Sequence, residues 1–444
     1  MKTEVKFSKL EAILALAKQN GASEAEVIQS SWTENPINFE NNKLKTLESN
    51  QSSGIAIRLI KNKKIGTSST TDPDAFEKIV SSGIEASEFG PDATFELSRK
   101  NLGGRDVVNH VSTEDIPLET LVERGTNVIE NLRKFHNDLL ISGGFNLGHG
   151  ETTYLNSNNV FGKKVKSIYS TSFSVQLVRG EDFLGIYDGN SNLDNFPDEK
   201  QISNKIFENL TLSKELVSLK TQKYTVIFTP RAVSSIFSHI LSVILNGKMV
   251  QQKISPLTDK LGKELFDKKL TFIEDPNIGT QKADFDDEGI RTKRKVLIKE
   301  GVVNNFYFDL SSGSKVIPKQ ISTGNGFKAS LGSSSVPSLT TIQIEEGKTL
   351  YKDMIKNTKE GVLVDQVLGA GQSNTLAGEF SIGIDLGFKI KDGNIQGRVK
   401  NCMVAGNIFH VLKNIEEISS DREWVYGVEL LPAFLIDNML VASK

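Results

Sequence analysis

The side chains best suited to hold a metal are few: histidines at 110, 136, 149, 239 and 410, and one cysteine at 402. A helix-borne zinc protease site needs two histidines about one turn apart, so that both imidazoles reach one ion, and a glutamate beside them to activate the bound water. His136 and His149, the nearest pair, are far more than one turn apart. No local zinc site follows from the residues themselves. The stretch Asp284-Phe285-Asp286-Asp287-Glu288-Gly289 has acids at the first, third and fifth places and glycine at the sixth, as a calcium loop does. Its twelfth place is Lys295, where such a loop needs a bidentate glutamate. The plainer expectation is an acidic turn facing the basic run Arg291, Lys293, Arg294 and Lys295, worth about 0–1 kcal/mol per exposed pair.

Two glycine-rich stretches, Gly143-Gly144-Phe145-Asn146-Leu147-Gly148-His149-Gly150 and Ser322-Thr323-Gly324-Asn325-Gly326, do not lead into a capped helix as a nucleotide loop must. They read as flexible turns. The second also offers backbone N–H groups to a peptide or an anion. A helix expected from Pro230 to Asn246 carries more information. Val233, Ile236, Phe237, Ile240, Leu241, Ile244 and Leu245 cover most of its circumference, leaving Ser235, Ser238, His239, Ser242 and Asn246 as a narrow polar stripe. The stripe either faces water or a neighbouring loop, or lines a groove or subunit contact.

These residues need a scaffold, and the local signals outline one. Ser8 and Glu11 have capping-box spacing ahead of Leu10, Ile13, Leu14 and Ala17, and Asn20-Gly21 closes that helix. Gly54 to Ile60 and Ile65 to Thr67, joined by Lys61-Asn62-Lys63-Lys64, read as a hairpin. Capped helices are expected over 75–86 and 118–137, irregular chain over 89–109, strands over 138–183, and a helix over 198–217. A polar stretch at 218–223 precedes the apolar strand Tyr224 to Phe228. Thr229-Pro230 then caps the next helix, with Gly247 at its end. Beyond Phe266 the expected strands are 271–275, 295–299, 305–310, 340–344, 361–367, 380–390 and 398–405, with helices at 349–358 and 408–418. The fold class is α+β: a mixed helix and antiparallel-sheet domain over 1–218, then a β-rich domain over 222–444.

Composition narrows the function classes. The 444 residues are 38% hydrophobic and 24% charged, which fits a folded globular chain. Lys plus Arg total 53 against 55 Asp plus Glu, a net charge of −2, so no global positive excess exists to bind phosphate backbones. The opening Met1-Lys2-Thr3-Glu4-Val5-Lys6 lacks a signal-length apolar run, and no stretch of membrane-spanning length occurs. With one cysteine, the expected setting is reducing and cytoplasmic.

Read in order, several segments resemble the TldD/PmbA family, known both as modulators of DNA gyrase and as peptidase components. They are Gly54 to Gly66, Ser87-Glu88-Phe89, Asn246-Gly247 with Ser255-Pro256-Leu257, Phe285 to Gly289, Ser322-Thr323-Gly324-Asn325, Gly378-Glu379-Phe380-Ser381 and Ala405-Gly406-Asn407. The resemblance implies two branches: TldD chains carry an HExxxH zinc motif on a helix, and PmbA (TldE) chains lack it and pair with TldD. Aligning the glycine that follows the motif with Gly247 puts Ser238, His239 and Val243 at its His, Glu and His positions. The cysteine that TldD chains use near their C-terminus has no counterpart in Glu423-Trp424-Val425-Tyr426-Gly427-Val428, and Cys402 lies too early. Glu429-Leu430-Leu431-Pro432 is similar to the PmbA ending.

The resemblance thus implies a PmbA/TldE-like subunit of a metallopeptidase complex acting on peptides, with no cofactor or catalytic residue of its own. Its partner is a TldD-like zinc-bearing homologue in a heterodimer, or a second copy in a homodimer. Neither nucleic acid nor membrane is expected to bind. Candidate contacts for peptide or partner are Ser235, His239, Ser242, Asn246, Thr323, Gly324 and Asn325. The alternatives are an autonomous hydrolase with a non-zinc mechanism and a non-enzymatic binding protein, the gyrase modulator.

Overall fold

The computed structural model describes residues 2–100, 102, 107–108, 116–316 and 322–443. Strands β1 (Glu24–Glu40), β2 (Lys43–Leu47), β3 (Asn50–Lys61), β4 (Lys64–Thr70), β5 (Val107–Val108), β6 (Leu140–Asn156), β7 (Phe161–Arg179) and β8 (Asp182–Asn192) form one sheet. Its order is β4-β3-β1-β6-β7-β5, with β2 added on β1 and β8 on β7, and only β5 runs parallel to its neighbour. Register decides what each face does. Val27, Ile57, Leu155, Tyr169 and Phe173 share one face and are buried. They pack beneath helices α1 (Lys2–Gln19), α2 (Phe76–Phe89), α3 (Leu118–Arg133) and α4 (Glu199–Leu212). The opposite face carries Glu26, Ser30, Trp32, Tyr154, Lys164 and Lys166 and looks toward the second half of the chain.

That half is built on an eleven-stranded sheet. Its strands are β9 (Gln222–Phe228), β10 (Phe272–Glu274), β11 (Lys295–Lys299), β12 (Val302–Val303), β15 (Ile342–Ile344), β16 (Glu360–Leu368), β17 (Glu379–Lys391), β18 (Asn394–Arg398), β19 (Cys402–Asn407), β20 (Ile415–Val425) and β21 (Glu429–Ser443). A separate hairpin joins β13 (Gly326–Lys328) to β14 (Ser335–Pro337). Because β21 pairs with β9 as well as β19, the strands β9, β16, β17, β19 and β21 close into a circuit around an apolar interior holding Phe228, Phe380 and Phe434. The whole is α+β and β-rich toward its end. No helix among the described residues is long and apolar enough to cross a membrane.

Several local expectations give way to tertiary pairing. Helix α1 starts at Lys2, ahead of the Ser8 expectation, whose side chain lies outside the described residues, as does His110. Helix α2, expected to be capped, begins after Ala75 with no side-chain cap, and Asp72 accepts from Asp74 N instead. Gly143 and Gly144 are not a turn but lie inside β6, where a Cβ on Gly144 would stand 1.9 Å from Ile37 O, so only glycine lets β1 approach. Residues 305–310 contribute a single bridge at Tyr307 to Asn246, after which Asp309 caps a short helix. The expected strand over 398–405 is divided between β18 and β19. The expected helix over 408–418 stops at Val411, and Ile415 and Ile418 join β20, bound across to Ile436 and Phe434.

Candidate functional site

The second half is organised around one helix of mixed winding: α5 (Pro230–Val233), a π turn (Ser234–Ser238) and α6 (His239–Leu245). Thr229 caps it, accepting from Ala232 N and donating to Asp365 Oδ1 at 2.8 Å. The π turn has a cause in the sequence. Apolar residues recur every fourth place, at 233, 237, 241 and 245 and at 236, 240 and 244, slower than the 3.6 rhythm of an α-helix. Three such intervals exceed three α-turns by about one residue, which one wide turn absorbs. All seven side chains are therefore buried. Phe237 reaches the centre, with ring centroids 5.0 Å from Phe228, 5.6 Å from Phe380 and 5.8 Å from Phe434.

The same slip divides the polar stripe. His239 is exposed and Ser235 and Ser242 are half-buried, but Ser238 is fully buried and donates to Glu429 Oε1 at 2.7 Å. Glu429 opens β21. Burial pushes its carboxyl above the usual range, against the pull of the Ser234 and Ser238 hydroxyls and of His239. Its Oε2 has no hydrogen-bond partner among the described residues. Ser242 donates back to Ser238 O at 2.8 Å, and Tyr307 OH donates to Ser242 O at 2.8 Å. Gly247 does not terminate this helix. Asn246 ends it and caps α7 (Gly247–Gln251), accepting from Lys248 N. Glycine is needed there because a Cβ would lie 2.4 Å from Tyr307 O.

The loop at 322–326 faces inward. Asn325 is fully buried and donates to Glu274 Oε1 at 2.7 Å and to Ser338 O at 2.8 Å. Thr323 Oγ1 donates to Asn325 Oδ1, and its N–H goes to Phe308 O. The Gly324 and Gly326 amides go to Ser322 Oγ and Asp286 Oδ2. Those N–H groups, expected to be open to a ligand, are used internally. Asn246 and Asn325 do converge: Asn246 grips Pro337 O at 3.0 Å, next to the Ser338 held by Asn325. His239 and Ser235 stand apart from that junction.

The acidic turn differs most from expectation. Asp286 and Glu288 are fully buried, and the Asp287 and Glu288 side chains reach Lys164 and Arg58 of the first sheet, while the basic run meets the turn through its backbone, with Phe285 bridged to Arg291 and Thr292 N donating to Asp284 O. Asp286 accepts the amides of Glu288, Ile290 and Gly326. Burial and the neighbouring Glu288 raise its carboxyl well above the usual range. Glu288 meets Arg58 Nη1 at 2.9 Å and Ser335 Oγ at 2.6 Å, and Arg58 turns its other side to Glu26, which also receives Tyr154 OH and Lys328. Lys295 pairs instead with buried Glu274 at 2.9 Å. A second ionic group sits where the mixed helix begins: Arg231 is 2.9 Å from Asp365 and 3.4 Å from Asp188, beside the Tyr187–Tyr426 ring pair. Sequence reasoning missed Glu26, Arg58 and Glu429. The first two had a signal, a charge interrupting an otherwise apolar strand, as in Ala25-Glu26-Val27-Ile28 and Ile57-Arg58-Leu59.

Comparison with known proteins fits this architecture. Residues 221–443, just over half the chain, match the PmbA/TldA metallopeptidase C-terminal domain, and residues 25–87 match PmbA/TldA metallopeptidase domain 1. The chain belongs to the PmbA/TldD family. An uncharacterized protein of Methanocaldococcus jannaschii is 26% identical over 419 residues, 91% of this chain and 93% of that one. The metalloprotease PmbA of Escherichia coli O157:H7 is 24% identical over 448 residues, 97% and 94% of the two chains. The crystal structure of TldE from Thermococcus kodakarensis superposes with a TM-score of 0.88 at 22% identity, covering 98% of this chain and all of that one, so the fold is shared.

A PmbA/TldD family model named for metallopeptidases raises the question of whether zinc fits here. At the three positions that the sequence resemblance sets against the zinc motif stand a serine hydroxyl committed to Glu429, an exposed imidazole and the hydrocarbon side chain of Val243. Among the described residues, no group of three or more His, Cys, Asp or Glu gathers closely enough for a metal ion. Cys402 is buried on β19, its thiol donates to Lys400 O, and burial pushes its pKa up. This donor set does not fit zinc.

Proposed function

We propose that this chain is the zinc-free subunit of a TldD/TldE-type metallopeptidase complex, supporting a TldD-like zinc-bearing partner and supplying one wall of the peptide channel. One observation carries the reading: Ser238, the position aligned with the first zinc-binding histidine, is buried and hydrogen-bonded to Glu429, while the helix around it keeps its apolar packing. Hydrolysis by zinc depends on lowering the pKa of a bound water from about 15.7 toward 7, and that step is left to the partner. The two halves, 1–218 and 222–444, act as two domains in this reading, in the cytoplasm. An extended peptide is held by strand addition to exposed edges, and His239, Ser235 and Ser242 face the channel or the partner.

Mixing the purified chain with a zinc-bearing homologue at micromolar concentration tests this. Co-elution, peptide turnover that depends on the mixture, and zinc far below one per chain in the isolated protein are expected. Separate elution with unchanged turnover sinks the subunit reading, and stoichiometric zinc bound through His239 sinks the assignment of roles.

A further inference from the structure

Besides the Arg58 network, the polar face of the first sheet meets the second half of the chain in two places that flank a strip of β7. At one, Gly162 packs under the Phe285 ring and Lys164 pairs with Asp287 at 2.9 Å while lying over the Phe285 and Phe327 rings. At the other, Ser170 bonds to Ser191, whose carbonyl abuts Gly427. The six steps along β7 from Lys164 to Ser170 span about 20 Å at ~3.3 Å per residue. Between these contacts lies a half-buried strip formed by Lys166, its cross-strand neighbour Gly150, and Trp32 beyond it. The Trp32 indole lies over Gly148 and Gly150, fixed by its N–H to Glu34 Oε1 at 3.1 Å. Lys166 has neither hydrogen bond nor ion pair among the described residues, unlike Lys163, Lys164 and Lys328 nearby. A half-buried ammonium beside a second ammonium, with no anion paired to it among the described residues, is costly to keep and suits an anionic ligand.

We propose that Lys166 is the anchoring cation for a carboxylate of an extended peptide, whose last residues lie on the Trp32 indole. This rests on the peptide-channel reading above and names the group the channel recognises. The ammonium supplies the charge, the indole an apolar platform, and the glycines beneath it let that platform lie flat on the sheet. The protonation state follows. Burial and then Lys164 bring Lys166 down to about 8, so it carries its charge at neutral pH and gives it up as pH rises through that value. Among the described residues, the other charges facing the strip are Lys164 on its own strand, Asp287 paired to that lysine, and Glu34 held by the indole, and the cross-strand place on β6 is Gly150. Carboxylate binding therefore takes up a proton above pH 8 and weakens with rising pH.

Acylation of individual lysines, followed by mass spectrometry, tests this on the full chain, alone and mixed with the zinc-bearing homologue. Three probes are used: a neutral tetrapeptide with a free C-terminal carboxylate, its amide, and the amide carrying one glutamate. In either sample, at least fivefold slower acylation of Lys166 with a carboxylate-bearing probe and no protection by the neutral amide is expected. The free acid and the glutamate amide tell a C-terminal from a side-chain carboxylate. Equal protection by all three probes, or none in both samples, overturns the proposal. By calorimetry, Lys166→Gln should bind the protecting peptide about tenfold more weakly, with Lys166→Arg within about threefold of wild type; unchanged affinity in Lys166→Gln also overturns it. Because an unpaired ammonium is removed, Lys166→Gln should melt no lower than wild type, which separates lost binding from lost folding. Failure of the two chains to co-elute would sink the subunit reading and leave the protection result standing.

Discussion

Arg58 is buried and Glu429 half-buried, and their surroundings are opposite. Around Arg58 the polar groups answer one another: Glu26 and Glu288 flank the guanidinium, Ser335, Tyr154 and Lys328 fill the remaining positions, and side-chain exposure is 6% for the arginine and 0% for both acids. Around Glu429, and again at Lys166, part of the charge is unanswered. A paired buried network ties two parts of a fold together, here the first sheet to the 284–335 segment, whereas an unpaired one costs stability and is retained at sites that complete themselves with something else. The contrast marks the first region as a structural tie and leaves the second as the place where the proposed recognition at Lys166 sits.

The sharpest way to break this comparison is Arg58→Met. It strands two buried carboxylates and should cost about 3–5 kcal/mol in urea unfolding; a loss under about 1 kcal/mol would mean the network is not a tie. Next, Asn325→Ala removes a donor from buried Glu274 and from Ser338 O and should cost about 1–3 kcal/mol, read in the same way. Glu429→Gln should be neutral or stabilising by up to ~1 kcal/mol. The sign follows from its raised carboxyl. Wild type is penalised as pH climbs from the ordinary value, about 4.3, through the higher folded one, and glutamine is not, so the advantage should appear above pH ~4 and vanish below it. Glu26 and Asp287 have the reverse sign. Burial opposes their charge, but Arg58 for one and Lys164 for the other outweigh it and hold the pKa low, so their contribution is present near neutrality and lost as pH falls below about 4. The smallest effect is expected for Lys45→Ala, whose exposed partner is Glu40, at less than ~0.5 kcal/mol; a larger loss would blur the distinction between buried networks and surface pairs.

Much of the scaffold was legible because its signals are local. Thr229-Pro230 does begin a helix, the hairpin at Lys61–Lys64 does turn, and the apolar strand at 224–228 lies inside β9. The ordered family markers carried recognition over nearly the whole chain. Misreadings fell where a distant partner decides. Ile408, Val411, Leu412, Ile415 and Ile418 have helical spacing, yet the last two are captured as strand by β21. Asp286 and Glu288 look like surface acids until the amides around Asp286 and the guanidinium beside Glu288 are placed, Arg58 lying 230 residues from Glu288 in sequence. Ser238 seemed to belong to a continuous stripe because 3.6 residues per turn was assumed throughout, although the four-residue beat of the apolar positions already argued otherwise.

That beat matters for how such a helix can change over time. A surplus residue between 234 and 238 would set everything after it about 100° out of phase with everything before it, and the wide turn takes that offset up. Point substitution cannot undo such an offset. Losing a single codon there would close the wide turn into an ordinary one with Ile240 and Leu241 still facing the core, so an indel rather than a replaced side chain is the shortest step by which relatives can trade the wide turn for a regular α-helix.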